Sequence, residues 1–197
     1  MNHYYQNNSN LKSNISNIEY TFKEKVVRLE TDNGVFSKNR VDFGTNVLLN
    51  SLVIAENAKS ILDVGCGYGV IGVCLAKGYP DKEITMIDVN NRAIDLVNRN
   101  IKKNNLHNAI ALISNLYEKI NDNYDMIVSN PPIRAGKVIV HGVVEQGYNH
   151  LNPGGSIWVV IQKKQGAPSL KDKMEEVFGN VEIVNKESGY YIMKSVK

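Results

Sequence analysis

A chain of 197 residues is long enough for one α/β domain with a full core and little else. Its 43% hydrophobic and 22% charged residues are the mix of a soluble globular protein, which excludes a disordered or fibrous chain. A net charge of +3 permits an RNA partner without requiring one, so any phosphate-binding surface has to be a local patch.

Two cysteines, Cys66 and Cys74, stand without a repeating framework or histidine neighbours, and read as free thiols in a reducing compartment. They speak against a metal site. No apolar run is long enough to cross a membrane, and Met1 to Lys12 lacks the apolar core of a signal peptide. The expected location is cytoplasmic.

Residues 1–18, rich in Asn, Ser, Gln and Tyr, read as loosely ordered. Thr21 to Glu30 reads as one short strand, and Thr31-Asp32-Asn33-Gly34 as a turn. Val35 to Gly44 has no clear period. Thr45 is placed to cap a helix running to about Ala55, with Leu48, Leu49, Leu52 and Val53 on its apolar side. From Ser60 the pattern is regular. Strands are expected at Ile61 to Val64, Ile84 to Asp88, Ala109 to Ile113, Tyr124 to Ser129 and Ile157 to Ile161. Helices are expected at Val70 to Lys77, from an Asn90 cap to about Asn104, at Lys137 to Leu151 and at Leu170 to Phe178. Asn152-Pro153-Gly154-Gly155 reads as a turn. Val181 to Val184 and Tyr190 to Met193 are too close for a parallel crossover and should pair as an antiparallel hairpin. Alternating strands and helices imply an α/β fold: a buried, mainly parallel sheet with helices on both faces.

Asp63-Val64-Gly65-Cys66-Gly67-Tyr68-Gly69 follows a strand and opens a helix. Gly65, Gly67 and Gly69 allow a tight turn and close approach of a ligand to the backbone. About twenty residues on, Asp88 ends the next strand, where a carboxylate can accept both hydroxyls of a ribose. The spacing is Gly-x-Gly-x-Gly, and Asp63 stands where it would repel a pyrophosphate but suit an ammonium group. Both features favour S-adenosyl-L-methionine over a dinucleotide. Asn115, just after the third of these strands, is placed to meet an adenine ring or simply to make a turn.

Asn130-Pro131-Pro132-Ile133 directly follows the Tyr124 to Ser129 strand, at the end of the sheet where ligands bind in open α/β folds. An exocyclic amine is planar, with a delocalised lone pair, and attacks a sulfonium methyl poorly. Two acceptors aimed at its N–H groups, the Asn130 side-chain oxygen and the Pro131 carbonyl, would hold it and favour positive charge developing on nitrogen. Pro131 biases Asn130 to an extended backbone, and consecutive prolines stiffen the loop. Such preorganised groups contribute about 10²–10³-fold in rate each.

Val35 to Thr45, Asp63 to Gly69 and Asn130-Pro131-Pro132-Ile133-Arg134-Ala135-Gly136-Lys137 together resemble the 16S ribosomal RNA guanine-N2 methyltransferases, the methyltransferase small-domain family, in its short single-domain form. The resemblance runs from about His3 to the C-terminus. It implies a class I, Rossmann-like S-adenosylmethionine-dependent methyltransferase domain over residues 19–197. The sheet would have seven strands and a C-terminal antiparallel hairpin, and a lid at about residues 35–45 would cover the cofactor. It further implies an active site at Asn130 to Ile133, with Phe36 over the cofactor and Asp42 contacting the cofactor or anchoring the lid. Family members often have Asp where Asn115 stands. The family's characterised type carries a second, amino-terminal domain, so the target base here can differ from that enzyme's guanine.

Ribosomal RNA or the small ribosomal subunit is the expected partner, with no membrane or metal and a monomeric chain. Arg134 and Lys137 beside the active loop are the leading phosphate contacts, followed by Lys38 and Arg40 on the lid. Lys163 and Lys164 read either way, and Arg99, Lys102 and Lys103 as an ordinary solvated helix face. His141 reads as packing or capping. Adenine-N6 and glutamine-amide methyltransferases share the amine grip but usually carry an aromatic residue where Ile133 stands. A non-catalytic, cofactor-binding assembly factor is the alternative of another class.

Overall fold

The computed structural model describes residues 12–197. Five strands and two more from the C-terminal hairpin form a seven-stranded sheet. In chain order these are β3 (Ser60–Val64), β4 (Glu83–Asp88), β5 (Ala109–Ile113), β6 (Tyr124–Ser129), β7 (Leu151–Gln162), β8 (Glu182–Glu187) and β9 (Tyr190–Val196). Their spatial order is β5-β4-β3-β6-β7-β9-β8, with β9 antiparallel to both neighbours and every other pair parallel. The order reverses between β3 and β6, so the ends of these two strands open a crevice.

Residues alternate across the sheet with the period of two that a pleated strand imposes. Ile61, Met126, Val128, Trp158 and Val160 face a core shared with α1 (Phe43–Ser51), α2 (Val70–Gly78) and α3 (Asn91–Lys103). Leu62, Ile127, Ile157 and Val159 face the opposite core, closed by α4 (Lys137–Gly147) and α5 (Ala167–Phe178). The sheet is therefore covered on both faces, as the near-continuous apolar strands require.

Several local expectations change. Thr21 to Glu30 is not one strand. It belongs to an antiparallel hairpin of β1 (Ser16–Phe22) and β2 (Lys25–Thr31), so Ser16 to Ile18, read as loosely ordered, are paired. Residues 1–11 of that segment lie outside the described residues. The turn uses Lys23 and Glu24 at φ 48° and 62°, a conformation that neither residue advertises. Thr45 does not cap α1; Asp42 does, accepting from the Thr45 N–H at 3.1 Å, and the helix ends at Ser51. Asn90 caps α3 as expected. Asn152 to Gly155 bulge out of the β7 ladder, so that Tyr124 pairs with Leu151 and Met126 with Ser156.

The hairpin is held by side-chain amides. Asn104 accepts from the Arg28 N–H at 3.0 Å and donates to its carbonyl at 2.7 Å. One helical turn earlier, Asn100 accepts from the Glu30 N–H at 2.6 Å and donates to the Glu30 carbonyl at 3.0 Å. Two asparagines four apart, Asn100 on α3 and Asn104 at its C-cap, thus serve alternate residues of β2 as a neighbouring strand would. Arg99 and Lys103 are not merely solvated: both pair with Glu30. Asn100 also donates to the Tyr68 carbonyl at 2.9 Å, tying the hairpin to the glycine loop.

Replacing the buried Asn100 by Ala strands the Glu30 N–H and the Tyr68 carbonyl without partners. The expected loss is about 2–3 kcal/mol, read as a lower urea midpoint with an unchanged slope.

Candidate active site

The two motifs meet at the sheet's reversal. The Ser129 hydroxyl, at the end of β6, donates to the Val64 carbonyl, at the end of β3, across 2.7 Å in the buried interior. A methyl built on Gly65 would lie 3.6 Å from Pro132 Cδ. The Gly65 and Cys66 N–H groups donate to the Ile87 carbonyl at 2.8 and 3.0 Å, which draws the end of β4 into the same place.

A cavity of about 430 Å³ lies over this junction. Phe36, Asp42, Gly65, Gly67, Asp88, Asn115, Asn130, Pro131, Pro132, Ile133 and Arg134 all line it. Its size suits a small-molecule or cofactor pocket. Five sequence candidates stand elsewhere. Asp63 is buried under the glycine loop, and Gly69, the loop's last residue, caps α2; Lys38 is turned to Asn33 at 2.8 Å; Arg40 is exposed on the segment before α1; Lys137 lines a smaller recess of about 140 Å³ shared with Ile133 and Gln165.

Asp88 accepts from the Gly67 N–H with Oδ2 and from the Asn90 N–H with Oδ1, both at 2.9 Å. The Val89 N–H is a third backbone donor to this carboxylate, which still lines the cavity. Gly67 makes its bond at φ 55°, where a side chain would be strained. Burial nevertheless raises the Asp88 carboxyl above its usual value.

Asp63 is wholly buried. Its Oδ2 accepts from the Gly72 N–H at 3.0 Å, while Oδ1 has no partner. Desolvation, opposed by the Gly72 bond and reinforced by the nearby Asp88 charge, pushes the carboxyl up to about 7. An orphaned, half-charged buried oxygen is costly, and a cation above the loop would relieve it.

Asn130 is held from an unexpected side. Its Nδ2 donates to Asp42 Oδ2 at 3.1 Å and to Thr45 Oγ1 at 2.8 Å. The side-chain oxygen is thereby left to the cavity that Asn130 lines. Asp42 thus caps α1 and grips Asn130. Asn115 donates to Glu118 at 2.8 Å, the bond of a local turn, while still lining the cavity. Phe36 is 40% exposed, so it is a wall of the cavity and not a core aromatic. The segment before α1 is tied down where the Tyr68 hydroxyl donates to the Ser37 carbonyl at 3.3 Å and Asn90 Nδ2 donates to the Gly34 carbonyl at 3.1 Å. His141 Nε2 lies 3.2 Å from the Ser169 hydroxyl, away from the main cavity.

Thr45, Tyr68, Asn90, Gln165 and Tyr190 line the cavity without having been marked in the sequence. Thr45 had a signal, an Asp-x-x-Thr cap ahead of an apolar run, that was assigned to the wrong residue. Tyr190 had none, because it enters from the far hairpin.

The methyltransferase small domain model matches residues 26–194. The chain belongs to the methyltransferase small-domain family. The family's cofactor is S-adenosylmethionine, and the fold is the class I methyltransferase fold. YbxB of Bacillus subtilis, itself uncharacterised, is 45% identical over 99% of this chain and 98% of its own length. The ribosomal RNA small subunit methyltransferase C of Photorhabdus laumondii is 31% identical over 90% of this chain. This chain spans about half the length of that relative, 52%. A solved structure of the T. thermophilus 16S rRNA N2 G1207 methyltransferase, in complex with AdoMet and guanosine, superposes with a TM-score of 0.82 at 24% identity, covering 93% of this chain and 50% of that one. Among the described residues no helix is long and apolar enough to cross a membrane, and no cluster of His, Cys, Asp and Glu could hold a metal ion. Cys66 and Cys74 are free and buried, and burial raises both thiols.

The Asp63 carboxyl gives the ligand-free protein a signed pH dependence. Its folded value lies above the ordinary 3.8, so between about pH 4 and 7 the folded state holds a proton that the unfolded chain has released. Stability therefore falls as pH rises through that window and levels off above it. Asp63→Asn, which keeps an acceptor for the Gly72 N–H, is expected to flatten Asp63's share of the slope and to raise Tm by several degrees at pH 8. Thermal unfolding of both proteins across this range measures it; an equally steep slope in the variant excludes Asp63 as its source.

Proposed function

We propose that this protein transfers a methyl group from S-adenosylmethionine to the exocyclic N2 amine of a guanine in 16S ribosomal RNA. The observation that carries the reading is the placement of Asn130 and Pro131 in the same cavity as Gly65, Gly67 and Asp88, with the Asn130 amide nitrogen committed elsewhere.

The residues fit the cofactor. Asp88, at the end of β4 and lining the cavity, is suited to ribose hydroxyls. The unpartnered Asp63 Oδ1 beneath the loop suits the nearby field of an ammonium group, which would restore its charge. Phe36 and Leu116, with Asn115 between wall and rim, would bracket the adenine. When bound, the cofactor supplies an electrophilic methyl on a sulfonium.

Asn130 Oδ1 and the Pro131 carbonyl accept the two N–H groups of the target amine. As nitrogen gives up its lone pair and becomes positive, these bonds strengthen, so they favour the transition state over the ground state. The attached proton becomes strongly acidic after transfer, so no dedicated general base is needed.

A base inside a duplex has to leave its stack at a cost of a few kcal/mol, whereas RNA loops present bases already splayed out. Arg134, exposed on the cavity's rim, Lys137 beside it, and Lys163 and Lys164 just before the cavity-lining Gln165 are placed to hold the backbone. Lys38 and Arg40 lie on the lid side and would contribute at longer range. The guanine-N2 and 16S specificity is supported by the relatives' names and by the likeness in fold.

Transfer of labelled methyl to total ribosomal RNA and to intact small subunits, taken from a strain lacking this protein, is the direct test, with mass spectrometry to map the product. The expected product is N2-methylguanosine in the small-subunit RNA; a label on adenine N6 or on a protein glutamine would replace this reading. Asn130→Ala should lower kcat by about 10²–10³-fold with cofactor affinity retained. Near-wild-type turnover would end the amine-grip mechanism. Asp88→Ala should weaken cofactor binding by about tenfold or more in calorimetry, and an unchanged affinity would reassign the ribose contact.

A further inference from the structure

Asn130 carries both a donor and an acceptor on one planar group, and only its orientation decides which one faces a substrate. Turned one way, it receives an amine; turned the other, it offers N–H groups to a carbonyl or a hydroxyl. Side-chain amides are near-symmetric in shape, so the backbone and Pro131 do not make this choice. The neighbours do.

The deciding neighbour is Asp42. Its Oδ2 accepts from the Asn130 amide nitrogen at 3.1 Å, so the nitrogen and not the oxygen of the amide faces Asp42. The same oxygen accepts from the Thr45 N–H at 3.1 Å, which pins it at the start of α1. The second hydrogen of the amide goes to Thr45 Oγ1 at 2.8 Å, on the buried side of the helix. Both hydrogens of Nδ2 are thus committed, to partners 88 and 85 residues away in the chain.

We infer that Asp42 and Thr45 are positioning residues that lock the Asn130 amide with its oxygen toward the cavity, and so restrict the transfer site to groups that donate hydrogen bonds. The lock rests on the reading of Asn130 given above and extends it: it makes an amine the acceptable substrate and a carbonyl or carboxylate oxygen an unacceptable one. A rejected acceptor would face Asn130 Oδ1 lone pair to lone pair, and no rotation of the amide could relieve it without breaking the bond to Asp42; the Thr45 hydroxyl, able to donate as well as accept, holds the amide while Asp42 sets its direction. The lock also joins the end of the lid segment to the catalytic strand end, since Asp42 closes the one and Asn130 opens the other.

Two kinds of variant separate a lock from a merely structural contact. Asp42→Ala combined with Thr45→Val removes both acceptors. Asp42→Asn keeps an oxygen facing the Thr45 N–H, and therefore facing Asn130, while Thr45→Ser keeps the hydroxyl. With nitrogen-15 labelling, the Asn130 side-chain amide is identified by its loss in Asn130→Ala. In the wild-type protein its two hydrogens are expected to exchange slowly with water; in the double variant the signals should shift and exchange faster. Turnover in the double variant should fall by about tenfold or more, with the KM for S-adenosylmethionine held within about twofold. Each conservative variant should restore most of the turnover. Unmoved amide signals in the double variant, or a loss that the conservative variants fail to rescue, would overturn the lock. The amide measurement needs no RNA. If it behaves as expected while the wild-type protein methylates no nucleobase, the lock stands and the proposed reaction fails.

Discussion

The site depends on two parallel strands ending side by side at the point where the sheet changes direction. β3 and β6 are adjacent in the sheet but far apart in the chain, and the chain leaves them toward opposite faces. A crevice opens between their ends, and the 2.7 Å bond from the Ser129 hydroxyl to the Val64 carbonyl sets its width. One residue beyond each partner stand Gly65 and Asn130. The glycine loop and the prolines stand side by side there, since a Cβ on Gly65 would meet Pro132 Cδ in ordinary van der Waals contact at 3.6 Å. The apolar cores on both faces stabilise the strands; this polar link decides what their ends can reach.

Charge is the second constraint. The Asp88 charge lies close enough to Asp63 to disfavour its ionisation, and both carboxyls lose hydration there. Backbone N–H groups of Gly67, Gly72 and Asn90 offset part of that cost, yet one Asp63 oxygen stays unpartnered. Such unbalanced acidity concentrates at functional sites more often than in ordinary cores. It also explains why the surroundings are so firmly tied. Asn100 joins Tyr68 to the hairpin, Asn90 joins α3 to Gly34, and Tyr68 joins the loop to Ser37.

Most of the sheet was legible because its strands are short apolar runs and its helices carry clear periods and stops, as at Asn90 and around Gly78. The seven-stranded architecture with its closing hairpin followed from those signals together with the family resemblance. The amino-terminal hairpin was not legible. Ser16 to Phe22 alternates weakly polar residues, and its turn, Lys23-Glu24, has neither glycine nor asparagine; the pairing exists because α3 supplies amides to the outer edge of β2. Asn100 and Asn104 look like any solvated helix residues until their partners, 70 and 76 positions away, are known. At the site, motifs with local spacing converged on one cavity, whereas Asp63, Gly69 and the basic residues of the lid did not join its lining. A strand-end carboxylate or a proline-rich loop announces itself locally. Which way a side-chain amide faces does not, because that is set by tertiary neighbours.

The division of labour between Asn130 and Asp42 follows from this. A carboxylate placed where Asn130 stands would accept hydrogen bonds more strongly, but it would sit beside Asp42 and add a third acid to a region already short of countercharge. A neutral amide avoids that repulsion and gains a fixed direction from the same neighbour. Asp42 in turn caps a helix whose first turn presents free N–H groups and a partial positive charge. It is thus held by α1 and orients the amide, and the amide presents a neutral acceptor to the cavity. In that arrangement the helix start, the segment before it and the strand's end share one oxygen atom, Asp42 Oδ2, and a change at any of the three is felt at the face that Asn130 turns to the cavity.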